Sequence, residues 1–173
     1  DIQEYSSLIP AVFADIQHSI ADRSVRGRNS IIDGFIKFLE LLQGRFGWSE
    51  LLDLLRSPAV HPRFFLLPSD LDTLQQWVVG SGIRWGLSGE QRAGAGLADF
   101  DTGSWRAGLD RLLMGYAIDT DEFVDGVLPY GELEGRAASP LGGLCQYIEL
   151  VEQAARLFHQ PCTIGEWSKR LTT

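Results

Sequence analysis

Three arginines lie close together in the segment Asp22–Arg28, just before a stretch with the pattern of a helix. Guanidinium groups beside a helix N-terminus can hold a phosphate, because the backbone N–H groups there carry partial positive charge. Arg23, Arg26 and Arg28 are therefore candidate nucleic-acid contacts. The competing interpretation is a solvated connector in which Asp22 and Arg23 tie neighbouring elements together.

Two more arginines stand next to tryptophans, in Ile83–Gly86 and at Trp105. An indole can stack on a base while a neighbouring guanidinium contacts the backbone, so Arg84, Trp85 and Arg106 are also candidate contacts. The same pattern suits a structural tryptophan packed under an arginine stem, and that alternative stays open.

The common catalytic patterns are missing from the sequence. A phosphate-binding loop needs glycines followed by Lys and Ser or Thr, and neither Lys37 nor Lys169 has that setting. Gly94 and Gly96 are not followed by a third glycine, so the dinucleotide fingerprint fails. Ser88 lies between Leu87 and Gly89, but the glycine spacing of a nucleophile elbow is wrong.

Metal-dependent chemistry is also poorly supported. Asp119, Asp121 and Glu122 cluster without a nearby cation, which favours a solvated acidic loop over a nuclease site. The run Cys145-x13-His159-x2-Cys162 lacks a fourth ligand at a known spacing. We expect no catalytic residue, no metal and no cofactor in this chain.

Composition sets the broad class of the protein. The 173 residues are 45% hydrophobic, enough for one ordinary core, and the net charge of -8 is unusual for a free-standing nucleic-acid binder. No apolar run approaches the ~20 residues of a membrane span. The chain begins at Asp1 without a visible leader, and we expect a fragment of a longer, cytoplasmic bacterial protein with reduced thiols.

Helical patterns dominate the chain. Ser6 to about Phe13 and an Asn29- or Ser30-capped segment ending at Gly44 are the first two, with a possible strand at Gln17–Ala21 between them. Further helices are predicted over 49–56, from Ser69 with Asp72 as a capping box, over 104–116, after Pro140 and from Thr163, whereas 86–104 and the acidic 119–135 read as loops.

These patterns predict a mainly α fold, an irregular helical domain with one or two short edge strands. We divide the chain into residues 1–28, a short helix, possible strand and basic connector, and residues 29–173, a helical domain.

Several stretches together resemble one family. They are DIQEYSSLIPAVF (1–13), IADRS (20–24), LLDLLRSPAVHPRF (51–64), GIRWGL (82–87), WRAGLDRLLMGYA (105–117) and VLPY (127–130). In this order and spacing they are similar to the middle of the RecC family, the gamma chains of exodeoxyribonuclease V, over most of the chain up to about Arg136.

The resemblance implies a context rather than a catalytic site. RecC proteins work with RecB and RecD in an ATP-dependent helicase and nuclease that resects double-strand breaks for recombination, in which ATP and Mg are used by the partner subunits. They have a superfamily 1 helicase-like architecture without a working ATPase site. This chain would lie where the second helicase-like domain begins and its helical insertion follows.

Two functions remain after the resemblance is considered. The first is a non-catalytic part that supports DNA-end unwinding, strand guidance and resection, in contact with duplex ends and single strands. The alternative is a helical module that docks partner helicase subunits without touching DNA. In a fragment, Leu112, Leu113 and Tyr116 are candidates for an exposed apolar patch.

Overall fold

The computed structural model describes residues 12, 29–131, 133 and 138–170. Within these ranges the chain forms seven α-helices and one 3₁₀ helix at His61–Phe64. The α-helices are α1 (Ser30–Gln43), α2 (Trp48–Leu55), α3 (Asp70–Gly80), α4 (Gly89–Gly94), α5 (Trp105–Ala117), α6 (Ala138–Phe158) and α7 (Ile164–Arg170).

The mainly α prediction is confirmed. The part of the chain that the structure describes holds no strand, only an isolated antiparallel bridge between Val124 and Val127. The predicted first helix, apart from Val12, and the predicted strand at 17–21 lie outside the described residues. No helix in the described ranges is long and apolar enough to cross a membrane.

Side-chain caps explain where several helices begin. The Asn29 side chain accepts hydrogen bonds from the N–H groups of Ile31 and Ile32, and Ser104 accepts one from Ala107. These bonds satisfy donors that have no partner inside the first helical turn. The predicted boundaries of α1 and α5 are therefore confirmed to within about one residue.

Two local predictions are wrong. Ser69 makes no side-chain capping bond; instead the Asp70 carboxylate accepts the N–H of Leu67 at 2.8 Å. Residues 86–104 are not all loop, because Ser88 caps the short helix α4 through the N–H of Gln91 at 3.1 Å. Glycines mask this helix in the sequence, since they lower helix propensity.

Helix α6 is the centre of the packing and contacts α1, α3, α5 and the 3₁₀ helix. Its buried face repeats every three or four residues, as one stripe of an α-helix must; the apolar side chains on it are Leu141, Leu144, Tyr147, Ile148, Val151 and Ala155. At Gly143 a Cβ would lie 2.6 Å from the carbonyl oxygen of Phe64, so the close approach of the 3₁₀ helix requires glycine there.

Candidate nucleic-acid interface

Three segments distant in sequence are joined by main-chain hydrogen bonds: residues 45–48, 84–87 and 103–106, which we call the hub. The first two segments are tied in both directions. The N–H of Gly86 donates to the carbonyl of Arg45 at 2.8 Å, and the N–H of Trp48 donates to the carbonyl of Arg84 at 3.1 Å.

The third segment is tied to the second in the same way. The N–H of Arg84 donates to Gly103 at 2.9 Å, and that of Arg106 donates to Leu87 at 3.0 Å. Paired main-chain groups fix the backbone of these loops about as a sheet ladder would. The positions of Arg84 and Arg106 are thus set by one local framework.

The structure brings two of the sequence candidates, Arg84 and Arg106, into the hub with exposed side chains. Neither forms an ion pair with a carboxylate of the described residues, and the Arg84 guanidinium donates only to its neighbouring Ile83 carbonyl at 3.3 Å. Two arginines with free guanidinium edges on one framework could contact phosphates of one strand.

Trp85 is half-buried, and the Arg92 guanidinium carbon lies 4.0 Å from its ring centroid. That contact covers one face of the indole and leaves only the other for a base. The arrangement is partly the structural alternative, a tryptophan packed against an arginine, although the arginine is Arg92 rather than a sequence neighbour.

Arg92 is the residue that sequence reasoning missed. Its side chain is only 1% exposed, and it donates to three main-chain carbonyls. Nη1 reaches Phe100 at 2.6 Å and Thr102 at 3.0 Å, and Nη2 reaches Trp85 at 2.6 Å. An arginine inside a glycine-rich run carries no signal of burial; only the S-x-x-Q pattern of Ser88–Gln91 could have predicted the helix that holds it.

Burial lowers the pKa of the Arg92 guanidinium, and the nearby Asp101 carboxylate opposes that effect. The group remains charged at neutral pH, because arginine starts from a very high pKa. Asp101 is itself engaged, since it accepts the N–H of Gly89 at 2.6 Å. The negative charge of Asp101 is therefore partly offset by this hydrogen bond inside the loop.

Gly86 lies beside Arg92, with φ of +75°. A Cβ at this position would meet the Arg92 Nε at 2.6 Å. Both the backbone conformation and the close approach require glycine, so the loop and the buried arginine fit as one unit.

The other candidates of the sequence fall outside this surface or serve structural roles. Arg23, Arg26 and Arg28 lie outside the described residues and stay predictions. Trp105 is fully buried, and Ser88 is a helix cap. No three possible metal ligands cluster among the residues that the structure describes.

Apolar surface is concentrated elsewhere. Leu113 and Tyr116 are exposed as predicted, but Leu112 is fully buried, so its assignment to an exposed patch is wrong. Because successive residues on α5 point 100° apart, Leu112 faces the core while Leu113 faces outward.

A separate apolar groove of about 290 Å³ lies between α1 and α6. Ile31, Phe35 and Leu150 on its edge are 68%, 43% and 45% exposed. Arg63 is the sole charged residue among the described side chains that line the groove. Such a face is typical of a site for a protein segment.

Comparisons with known proteins all identify the same family. A model described as RecBCD enzyme subunit RecC fourth domain matches residues 28–173. RecBCD enzyme subunit RecC of Escherichia coli (strain K12) is 33% identical over 96% of this chain and 16% of its own length. The subunit of the same name from Haemophilus influenzae is 27% identical over 99% of the chain and 16% of its own length.

A third relative carries the same name. RecBCD enzyme subunit RecC of Mycobacterium tuberculosis (strain CDC 1551 / Oshkosh) is 30% identical over 86% of the chain and 15% of its own length. The chain therefore spans about a sixth of the length of these relatives.

Proposed function

The chain belongs to the RecC fourth-domain family, and on that premise we propose that it is a non-catalytic, nucleic-acid-guiding part of a RecBCD-type assembly. In this role it supports end unwinding, strand guidance and resection, while partner RecB-like and RecD-like subunits use ATP and Mg. Arg84, Trp85 and Arg106 are its proposed contacts in the described region, together with Arg23, Arg26 and Arg28 in the preceding segment.

The observation that carries this proposal is the position of Arg84 and Arg106 in the hub. Both side chains are exposed without a carboxylate partner among the described residues, although the chain as a whole has a net charge of -8. Three other surface cations are neutralised locally: Lys37 pairs with Asp33, Arg56 with Asp72 and Arg156 with Glu152. The exposed Arg45 of the hub and Arg63 of the apolar groove also have no carboxylate partner among the described residues. Exposed guanidinium groups without a carboxylate partner support the proposal of an anionic ligand at that place.

The test is fluorescence anisotropy of a labelled forked DNA end, titrated with the chain at two salt concentrations. Each phosphate contact releases counterions, so Arg84→Ala and Arg106→Ala should each weaken binding and reduce the salt slope by about one. Arg156→Ala is the matched control, because it removes the same charge from a guanidinium already paired with Glu152. Arg26→Ala and Arg28→Ala extend the test to the preceding segment. Binding that is absent at low salt would exclude direct nucleic-acid recognition by this chain.

A second candidate function is favoured by the groove between α1 and α6, which suits docking of a partner subunit. Its exposed apolar edge would bury against a protein segment, and Arg63 would meet a carboxylate on that segment. Leu150→Glu and Arg63→Glu should then reduce co-elution with RecB-like and RecD-like subunits in size-exclusion chromatography. Arg156→Glu, which reverses an exposed charge outside the groove, should leave it unchanged. Unaltered co-elution of both groove variants would exclude this function.

A further inference from the structure

Arg92 connects the parts of the loop that carry the proposed contacts. Its guanidinium reaches the carbonyl of Trp85 on one side and those of Phe100 and Thr102 on the other. Gly103, the residue after Thr102, accepts the N–H groups of Arg84 and Trp85 at 2.9 and 3.3 Å. The buried Arg92 side chain thus connects the two backbone segments of the hub, 84–87 and 103–106, that carry Arg84 and Arg106.

We propose that Arg92 is the positioning residue of the nucleic-acid surface: it fixes Arg84, Trp85 and Arg106 relative to one another without contacting the ligand. This inference rests on the proposed function. The ligand of the surface is a nucleic-acid strand, held by guanidinium–phosphate contacts and by the half-buried indole of Trp85.

The geometry requires arginine rather than another cation. A guanidinium carries several donors in a rigid plane, and here its central carbon lies over two rings, 4.0 Å from the Trp85 ring centroid and 4.7 Å from that of Phe100. A lysine ammonium is a compact point charge and cannot span carbonyls on opposite sides of the loop. Lysine at position 92 therefore keeps the charge but loses the framework.

The burial of Arg92 indicates that its guanidinium serves to position the surrounding loop. Removing a guanidinium from water is costly, and the Nε of Arg92 has no hydrogen-bond partner among the described residues. A loop closed by apolar side chains would avoid that cost. The buried arginine instead sets the distance between residues 85 and 100–102, where a small displacement would move both exposed arginines.

The experiment compares Arg92→Lys and Arg92→Ala with the unsubstituted chain, by forked-DNA anisotropy over a salt series and by amide hydrogen exchange. Arg92→Lys should weaken binding roughly tenfold, as loss of a supporting residue does elsewhere. The salt slopes of Arg92→Lys and of the charge-removing Arg92→Ala should both equal that of the unsubstituted chain, whereas Arg84→Ala should lower the slope by about one. Exchange should rise at residues 84–87 and 103–106 and stay unchanged at 141–151 of α6.

Chemical rescue separates positioning from general destabilisation. Ethylguanidinium added to Arg92→Ala should restore part of the affinity, and ethylammonium at the same ionic strength should not. A salt slope lowered by about one in Arg92→Ala would overturn the proposal, since it would mean that the Arg92 charge contacts a phosphate directly. Unchanged exchange at the hub would overturn it as well. Failure of the unsubstituted chain to bind DNA would instead refute the proposed function, and locally raised exchange in the variants would still show that Arg92 orders the hub.

Discussion

The indole N–H of Trp105 donates a hydrogen bond of 3.1 Å to the carbonyl oxygen of Phe46, 59 residues earlier in the chain. Both side chains are buried, and Phe46 has φ of +55°, a conformation that bulky residues seldom adopt. The bond therefore holds a strained turn against the N-terminus of α5, within the hub.

Substitution of Trp105 tests how much this contact stabilises the chain. Trp105→Phe leaves the buried Phe46 carbonyl without its donor and should lower the free energy of unfolding by about 1–3 kcal/mol. Trp105→Ala also creates a cavity and should lower it by about 3–5 kcal/mol. Urea denaturation measures both. Trp167→Phe is the control on a half-buried tryptophan, and an equal loss there would show that the Phe46 bond is unimportant.

Gly86 and Gly96 offer a matched pair for the contact with Arg92. Both have positive φ, +75° and +77°, but a Cβ at Gly96 meets nothing within 4 Å. Gly96→Ala should cost about 1 kcal/mol from backbone strain alone. Gly86→Ala should cost about 1–3 kcal/mol more, because the methyl group displaces the Arg92 side chain. Thermal or urea unfolding gives the difference, and equal values for the two variants would contradict the tight packing around Arg92.

The buried Tyr147 hydroxyl predicts that the free energy of unfolding falls at alkaline pH. This hydroxyl donates to the carbonyl of Leu51 at 2.8 Å, and burial raises the pKa of the phenol. A folded-state pKa above the unfolded value of ~10 means that this stabilisation is full below about pH 10 and is lost as the pH rises further. Tyr147→Phe should cost about 1 kcal/mol at pH 7 and reduce the alkaline loss of stability.

Tyr116→Phe is the control for that experiment, since Tyr116 is 51% exposed. Its unfolding curves at neutral and alkaline pH should match those of the unsubstituted chain. An alkaline transition that Tyr147→Phe leaves unchanged would assign the sensitivity to another group.

The Glu166 carboxylate predicts that helix α7 loses its N-terminal cap at acid pH. This carboxylate accepts the N–H and the hydroxyl of Thr163 at 2.7 and 2.9 Å, and these bonds lower the pKa of the glutamate. A depressed folded-state pKa means that the cap of α7 is fully formed above about pH 4.3 and is lost as the pH falls through the folded value.

A fluorotryptophan NMR signal from Trp167, which packs on Phe158 with ring centroids 5.0 Å apart, reports the loss of this cap. The signal should titrate in acid in the unsubstituted chain. Glu166→Gln should abolish the titration, because the amide has no charge to lose. The signal of buried Trp105 serves as the control and should stay constant over the same range, and a Trp167 signal that titrates alike in both proteins would show that another group controls α7.

The helical class, most helix boundaries and the family can be read from the sequence alone. These features depend on local information: Asn29 and Ser104 cap helices through bonds to residues two or three positions away, and the apolar repeat of α6 can be read directly. The resemblance also placed Arg84 and Trp85 in a stretch of interest. Helix α4 was missed because its glycines outweigh a capping pattern that is only one turn long.

Which side chains come into contact depends on the tertiary structure. The burial of Arg92 depends on carbonyls eight and ten residues later in the chain, and the hub depends on a turn about forty residues earlier. Leu112 and Leu113 are the same residue type at neighbouring positions. The orientation of α5 against the core buries Leu112 and leaves Leu113 exposed. Such contacts form between segments far apart in the chain. Neither the hydrophobic periodicity nor the composition of the sequence predicts them.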